Sequence, residues 1–365
     1  VIAKKQYGFE PDYAIPPGET LKEVIDSLDM TQTEFSNRTQ LTVQSVNRIF
    51  KGEQPITYET ANKLELVTGI PATMWNNLET QYREQLAKIA EQHQMAVNLV
   101  ANSAWLKMIP TKELAARGAI QPEKDPALLL RQVLSFYGVS SIAAWNEIWE
   151  KPGVAARRSK CFETMPGPAS AWIRLGEIQA QAIQCEPFDN DMFSEAILKI
   201  RKLTTKKTSE FIPKMRELCA QSGVALALVE KVKKVPWSGA TKWLSSGKAM
   251  ILLNLRGKSE DLFWFSFFHE AGHVINDRKD RKKDLLINDG SEEDPREAKA
   301  NHYAEEILIP SEWRSQLRQL RTYAEVVAFA KQLGISPGIV AGQFQYATGK
   351  WRLFNKLKRK LTWSQ

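Results

Sequence analysis

The sequence predicts a mainly α-helical chain with a small α+β part towards its carboxyl end. Three observations carry that prediction. Apolar residues recur at helical spacing from Thr20 to about residue 205. β-branched and apolar runs concentrate in one stretch, residues 224–255. Helical spacing then returns and continues to the end of the chain. The chain has 365 residues, 43% hydrophobic and 25% charged, an ordinary globular composition. Changes of character along it suggest three parts: residues 1–90, 91–207 and 208–365.

Residues 1–19 are loop-like and close on Pro16, Pro17 and Gly18. Leu21, Val24, Ile25 and Leu28 share one face of a first helix. Thr31 caps a second, with Phe35 inward, and residues 39–42 form a polar turn around Leu41. Thr42 caps a third helix, in which Val43, Val46, Ile49 and Phe50 face inward, and Gly52 stops it. Thr57 starts a fourth that buries Ala61, Leu64 and Val67, and Pro71 opens a fifth. The second and third helices and their tight turn form a helix-turn-helix. Gln44, Ser45, Asn47 and Arg48 lie on the outer face of the third helix, with Thr42 at its start. Glutamine and asparagine pair bidentately with adenine, and arginine with guanine.

From about 79 to 205 the helical spacing is punctuated by prolines and enriched in tryptophan at 105, 145, 149 and 172. A flexible tether would be rich in Gly and Ser without aromatic anchors, so this segment is expected to pack as a rigid helical layer. A helix over about 209–221 ends at Gly223. The run 224–232 reads as a strand, and 239–255 as two short strands around a Ser-Ser-Gly turn.

The stretch "FFHEAGHVIN" (267–276) follows. Residues i and i+4 of an α-helix lie about 40° apart around its axis, so His269 and His273 project together and could share one zinc ion. Glu270 sits one step round, where a carboxylate can act as general base. A catalytic zinc needs a third protein ligand. Glu297 supplies it most readily, from a second helix whose Ala300, Ala304 and Leu308 form a close-packing face. Glu293, Asp294 and His302 are its rivals. Asn301 is the i+4 neighbour of Glu297, and it and His302 are expected near the cleft.

No apolar run approaches the ~20 residues of a membrane span, and the amino terminus has no apolar core of a secretory signal. Three widely spaced cysteines, 161, 185 and 219, fit neither a disulfide framework nor a zinc ribbon. A cytoplasmic protein is expected, without membrane contact. The net charge of +8 permits a polyanionic partner. Basic clusters lie at 201–207, 278–283 and 350–360, and solvated surface is the ordinary reading of each.

The amino-terminal module resembles the lambda-repressor-like (XRE) helix-turn-helix family, in the version carried by HigA-type antitoxins. The resemblance rests on Pro-Gly-Glu before the first helix, Met-Thr-Gln opening the second, Val-x-x-x-x-Arg-Ile-x-x-Gly in the third, and the Ile-Thr-x-x-Thr-Ala that follows. It covers about 65 residues. It implies a five-helix domain with Gln32 near a phosphate or base edge and Gln44, Ser45, Asn47 and Arg48 in the major groove. Asn47 departs from the serine common in that family, which bears on the operator sequence.

Residues 209–350 resemble the ImmA/IrrE metallopeptidases. The matching blocks are "VPWSGATKWLSSGKAMILLNL", "HEAGH", Glu-x-x-Ala-Asn-x-Tyr-Ala-x-x-Ile-Leu-x-Pro and "LGISPGIVAGQFQYATG". The resemblance implies a gluzincin-like site with His269, His273 and Glu297 on zinc and Glu270 as base. Aromatic residues at 264, 265, 267 and 268 replace the family's usual aliphatic or Thr/Ala-rich run. Strand 249–255 is the expected edge for a substrate chain. Together the modules imply a homodimeric, operator-binding antitoxin with a toxin or other regulatory protein as partner. The alternatives are a peptidase of a repressor, targeted by its helix-turn-helix, and a non-catalytic protein-binding platform.

Overall fold

The computed structural model describes residues 13–97, 99–149, 165–254, 259–276, 285–287 and 295–361. Cys161, the basic cluster at 278–283 and the rival ligands Glu293 and Asp294 lie outside the described residues. The chain folds as two compact units, residues 1–102 and 103–365.

The first unit contains α1 (Pro17–Ser27), α2 (Gln32–Thr39), α3 (Val43–Phe50), α4 (Tyr58–Thr68) and α5 (Ala72–Val97). Threonine caps start three of them. Thr31 Oγ1 accepts from Glu34 N at 3.2 Å, Thr42 Oγ1 from Ser45 N at 3.1 Å, and Thr57 Oγ1 from Thr60 N at 3.2 Å. Each cap is worth ~1 kcal/mol because it satisfies an otherwise orphaned amide. The core is Leu21, Ile25, Phe35, Val46, Ile49, Ala61, Leu64 and Trp75. Two residues expected inside it face out: Leu28 is 40% and Val43 41% exposed. Leu28 lies beyond the end of α1, as its C-cap. Val43 is the first residue of α3 and has no preceding turn to cover. Gly18 has a packing reason to be glycine, since a Cβ there would lie 2.1 Å from the carbonyl oxygen of Ile49.

Helix α6 spans Leu99–Met108. The second unit continues with α7 (Thr111–Ala116), α8 (Pro126–Tyr137), α9 (Ile142–Trp149), α10 (Pro166–Ala182), α11 (Asn190–Lys202) and α12 (Thr208–Gln221). The apolar stretch 126–149 is long enough, by length and hydropathy, to cross a membrane. Gly138, at φ 66°, breaks it into helices of 12 and 8 residues, each shorter than the ~20 a span requires. The tryptophans are core, as their spacing predicts: Trp105 and Trp145 meet edge to face at 5.4 Å, and Tyr137 joins them. Trp172 of α10 is fully buried and donates to the Val229 carbonyl at 3.4 Å. The middle helices are thus continuous with the sheet in one unit.

That sheet has four strands in the order β1-β3-β2-β4: β1 (Val224–Leu228), β2 (Gly239–Ser245), β3 (Lys248–Leu253) and β4 (Leu285–Ile287). β1 and β3 are parallel, and the β2–β3 hairpin and the β2–β4 pair are antiparallel. Side chains alternate between faces. Leu226, Trp243, Ile251 and Leu253 join one core with residues of α12 and of helix α13 (Glu260–Asn276), whereas Leu252 packs under Gly176 of α10. The strand 249–255 is not an edge. β3 is bonded on both sides, because β1 takes one side and β2 the other, and β4 extends the sheet beyond β2.

Helices α14 (Pro295–Leu308), α15 (Arg314–Gln319), α16 (Tyr323–Leu333) and α17 (Pro337–Thr348) complete the unit. Two of the basic clusters are partly used to hold it together. Arg201 donates to the carbonyls of Ile307 (2.6 Å), Leu308 (3.2 Å) and Leu333 (2.9 Å), so one guanidinium serves the carboxyl ends of α14 and α16. Helix ends leave such carbonyls unpaired and carry partial negative charge. Arg359 donates to the fully buried Glu260 at 2.6 Å, and Lys358 pairs with Asp261 at 2.7 Å. Arg201→Met retains the stem and removes the donors. It should destabilise the second unit by about 2–3 kcal/mol, read as a lower urea midpoint with unchanged helix content.

Candidate functional site

Two sets of residues were singled out by the sequence, one in each unit. In the first unit, α3 presents Thr42, Gln44, Asn47 and Arg48 to solvent, with Ser45 half-buried. Val46 and Ile49 anchor the opposite side in the core at 0% and 1% exposure. Thr42 Oγ1 also meets Ser45 Oγ at 3.0 Å, which fixes the first turn. Gln32, at the start of α2, donates through Nε2 to the Val43 carbonyl at 3.4 Å and so lies beside the start of α3. Gln40 at φ 55° makes the tight turn between the helices. The loop after α3 is tied to α5: Glu79 accepts from Ile56 N at 3.0 Å and from Arg83 at 2.6 Å.

In the second unit, α13 and α14 pack closely. A Cβ on Gly272 would lie 3.1 Å from the Ala300 Cα and 3.2 Å from Tyr303. That approach brings Glu297 against the histidine pair. Its two carboxylate oxygens lie 3.1 Å from His269 Nε2 and 3.2 Å from His273 Nε2, and the two Nε2 atoms are 3.1 Å apart. His269 and His273 are fully buried, and Glu297 is 6% exposed. One ligand atom from each residue falls within 4.8 Å of the others. Donors at about 2.0–2.1 Å from one tetrahedral metal stand roughly 3.3 Å apart, so the observed spacings fit such an ion.

Asn301 Oδ1 lies 2.8 Å from His269 Nδ1. An amide oxygen accepts, so His269 donates to it from Nδ1, which leaves Nε2 directed at the cluster. Burial pushes the Glu297 carboxyl up, but the hydrogen bonds and charges of His269 and His273 outweigh it and hold its pKa at about 2. Glu270 moves the other way. It is fully buried, and burial raises its pKa above the usual carboxylate range against the pull of the two histidines and Thr241.

Strand β2 forms the seat for Glu270. Thr241 Oγ1 donates to Glu270 Oε2 at 2.6 Å and lies 3.2 Å from its carbonyl oxygen. The other oxygen, Oε1, is buried without a hydrogen-bond partner among the described residues. A Cβ at Gly239 would lie 2.4 Å from that Oε1, so only glycine leaves the carboxylate its space. Residues 239 and 241 share a sheet face because of the strand's period of two.

Of the residues expected at this site, the structure brings together His269, His273, Glu297 and Glu270, with Asn301 beside them. His302 is exposed and is not in the cluster. Gly239 and Thr241 were missed. Their Gly-x-Thr alternation on a strand preceding the histidine helix was the available signal.

Comparison with known proteins agrees with this division. Residues 21–75 match the helix-turn-helix family model, and residues 230–343 match the IrrE N-terminal-like domain of the M78 peptidases. Over 66 residues the chain is 30% identical to the uncharacterised HTH-type transcriptional regulator YddM of Escherichia coli K12, covering 18% of this chain and 70% of that protein. The chain belongs to the HTH-type transcriptional regulators. This regulator carries an XRE-like DNA-binding domain at its amino end and an IrrE/ImmA-like domain at its carboxyl end. It is also similar, at 27% identity and a TM-score of 0.22, to an addiction module antidote protein of a HigA family from Coxiella burnetii. That match covers 23% of this chain and 91% of the other.

If α3 reads bases, Arg48→Ala should cost about 1–3 kcal/mol of operator affinity and relax preference at one base position. A uniform loss on every sequence, in a gel-shift or anisotropy titration, would make Arg48 a phosphate contact. Affinity should fall steeply with salt.

Proposed function

We propose that this regulator is an operator-binding antitoxin whose carboxyl-terminal domain is a zinc peptidase acting on a regulatory protein partner. The observation that carries the enzymatic half is the convergence of His269, His273 and Glu297 beside a buried Glu270 with one unpartnered oxygen. The DNA-reading half rests on α3 and the helix-turn-helix match. The antitoxin role and the toxin partner rest on the HigA-type motifs around α3. A homodimer would place two α3 helices on an inverted repeat, with half-sites about 34–36 Å apart or a multiple of that.

Zinc at this site would polarise a peptide carbonyl and acidify an attacking water. His269 and His273 would offer their Nε2 atoms, and Glu297 a carboxylate held well below the usual range. Asn301 fixes the tautomer of His269. Glu270 takes the water's proton at Oε1 and delivers it to the leaving amine nitrogen as the C–N bond breaks. Thr241 holds Oε2 and leaves Oε1 as the oxygen open to a proton. Burial, by raising the affinity of Glu270 for a proton, suits it to that shuttle.

The full chain should hold about one zinc per copy. His269→Ala or His273→Ala should abolish it, and Glu297→Gln should weaken it strongly. Glu270→Gln should keep the metal and lose hydrolysis. Asn301→Leu should weaken zinc about 10–100-fold, with Asn301→Asp restoring it. Metal content and competition with a chromophoric chelator check all of these. Full zinc in Glu297→Gln would remove Glu297 from the ligand set. For the antitoxin role, the product of a neighbouring gene should bind the full chain and change its operator affinity. A neighbour that is itself a repressor, cleaved by wild type and spared by Glu270→Gln, would favour the targeted-peptidase reading.

A further inference from the structure

A groove of about 790 Å³ lies in the second unit between α6, α7, the start of α8 and the loop at 231–234. That volume is within the ~300–1,000 Å³ of ligand-binding clefts. It shares no residue with the histidine cluster. Its lining includes five lysines: Lys107, Lys112, Lys124, Lys233 and Lys234. All five are exposed. Lys107, Lys112, Lys124 and Lys233 have no carboxylate partner among the described residues. The one acid in the lining, Glu113, is already engaged. It accepts from Arg117 at 2.9 Å and from the backbone amide of Lys233 at 3.2 Å. The floor is apolar, with Leu106, Ile109 and Leu129.

The groove wall is built to stay in place. Arg117 donates to the Lys231 carbonyl at 3.0 Å, so α7 holds the 231–234 loop through Arg117 and Glu113 together. Lys234 sits at φ 72°. Glycine takes that conformation without the steric cost a side chain brings, yet here it carries a cation on the rim.

The geometry points to this groove as the docking site for an acidic, leucine-type segment of a partner protein. Carboxylates would meet the lysine rim, and apolar side chains would meet the floor. Charge complementarity selects an anion, and the remaining lining selects a peptide over nucleic acid. Among the described lining residues there is no arginine, asparagine, glutamine or aromatic side chain. Those are the groups that stack on bases or read their edges. Lysine, a hydrated point charge on a long apolar stem, suits a carboxylate above an apolar surface.

The test uses the full chain and fluorescence anisotropy with a labelled octapeptide of alternating Glu and Leu. The proposal expects micromolar binding that weakens at least tenfold with Gln in place of Glu, and that falls with added salt. Lys112→Gln/Lys233→Gln/Lys234→Gly should weaken it at least tenfold while operator binding and helix content stay unchanged. If that variant fails to fold, the Glu-to-Gln peptide pair on wild type still decides. Equal binding of both peptides, or none of either at millimolar concentration, overturns the proposal. So does an octamer of thymidylate that binds more tightly than the peptide and is lost in the triple variant.

Discussion

The close contact of α13 with α14 is the constraint on which the carboxyl-terminal site depends. Two histidines at i and i+4 can face one point, but the third group must come from elsewhere in the chain. It arrives only if two helix backbones approach until Gly272 lies against Ala300 and Tyr303. Even a Cβ at 272 would meet Ala300 and Tyr303 at 3.1–3.2 Å, so a larger side chain there would press directly on the helix that carries Glu297. The rest of the unit secures that approach. Arg201 fastens the carboxyl end of α14 to that of α16, and Arg359 fastens the start of α13 through Glu260.

The same small space gives two glutamates opposite affinities for a proton. Both are buried, and burial alone would raise both. Glu297 meets two imidazoles, whose hydrogen bonds and charge keep it ionised to about pH 2. Glu270 accepts from one threonine hydroxyl, and burial prevails. A carboxylate that stays charged suits a metal, and one that accepts a proton more readily suits proton transfer. The separation comes from β2, which supplies a glycine for space and a threonine for direction.

Much of this was legible in the sequence because it is local. Threonine caps, the period of 3.6 and the His-x-x-x-His spacing are properties of short stretches, and the helices of the first unit, the β2–β3 hairpin and the histidine pair follow from them. Glu297 was legible at longer range because the small residues of its helix signalled close packing. What escaped depends on partners distant in sequence. β3 looks like an edge until β1 and β2 take its two sides. Arg201 and Arg359 look like solvated charges until helix ends some 100 residues away present carbonyls and a buried glutamate. Asn301 is expected near the cleft from the sequence, but its bond to His269 depends on how closely the two helices pack. Val43 has the right period for the core and is exposed because helix periodicity says nothing about where the neighbours end.

X-ray absorption at the zinc edge of the zinc-loaded full chain tests most directly whether His269, His273 and Glu297 share one ion. A shared ion predicts a nitrogen and oxygen shell at about 2.0–2.1 Å, with the multiple scattering of two imidazoles and no sulfur. Sulfur scattering at about 2.3 Å, or a shell lacking either imidazole, would contradict it.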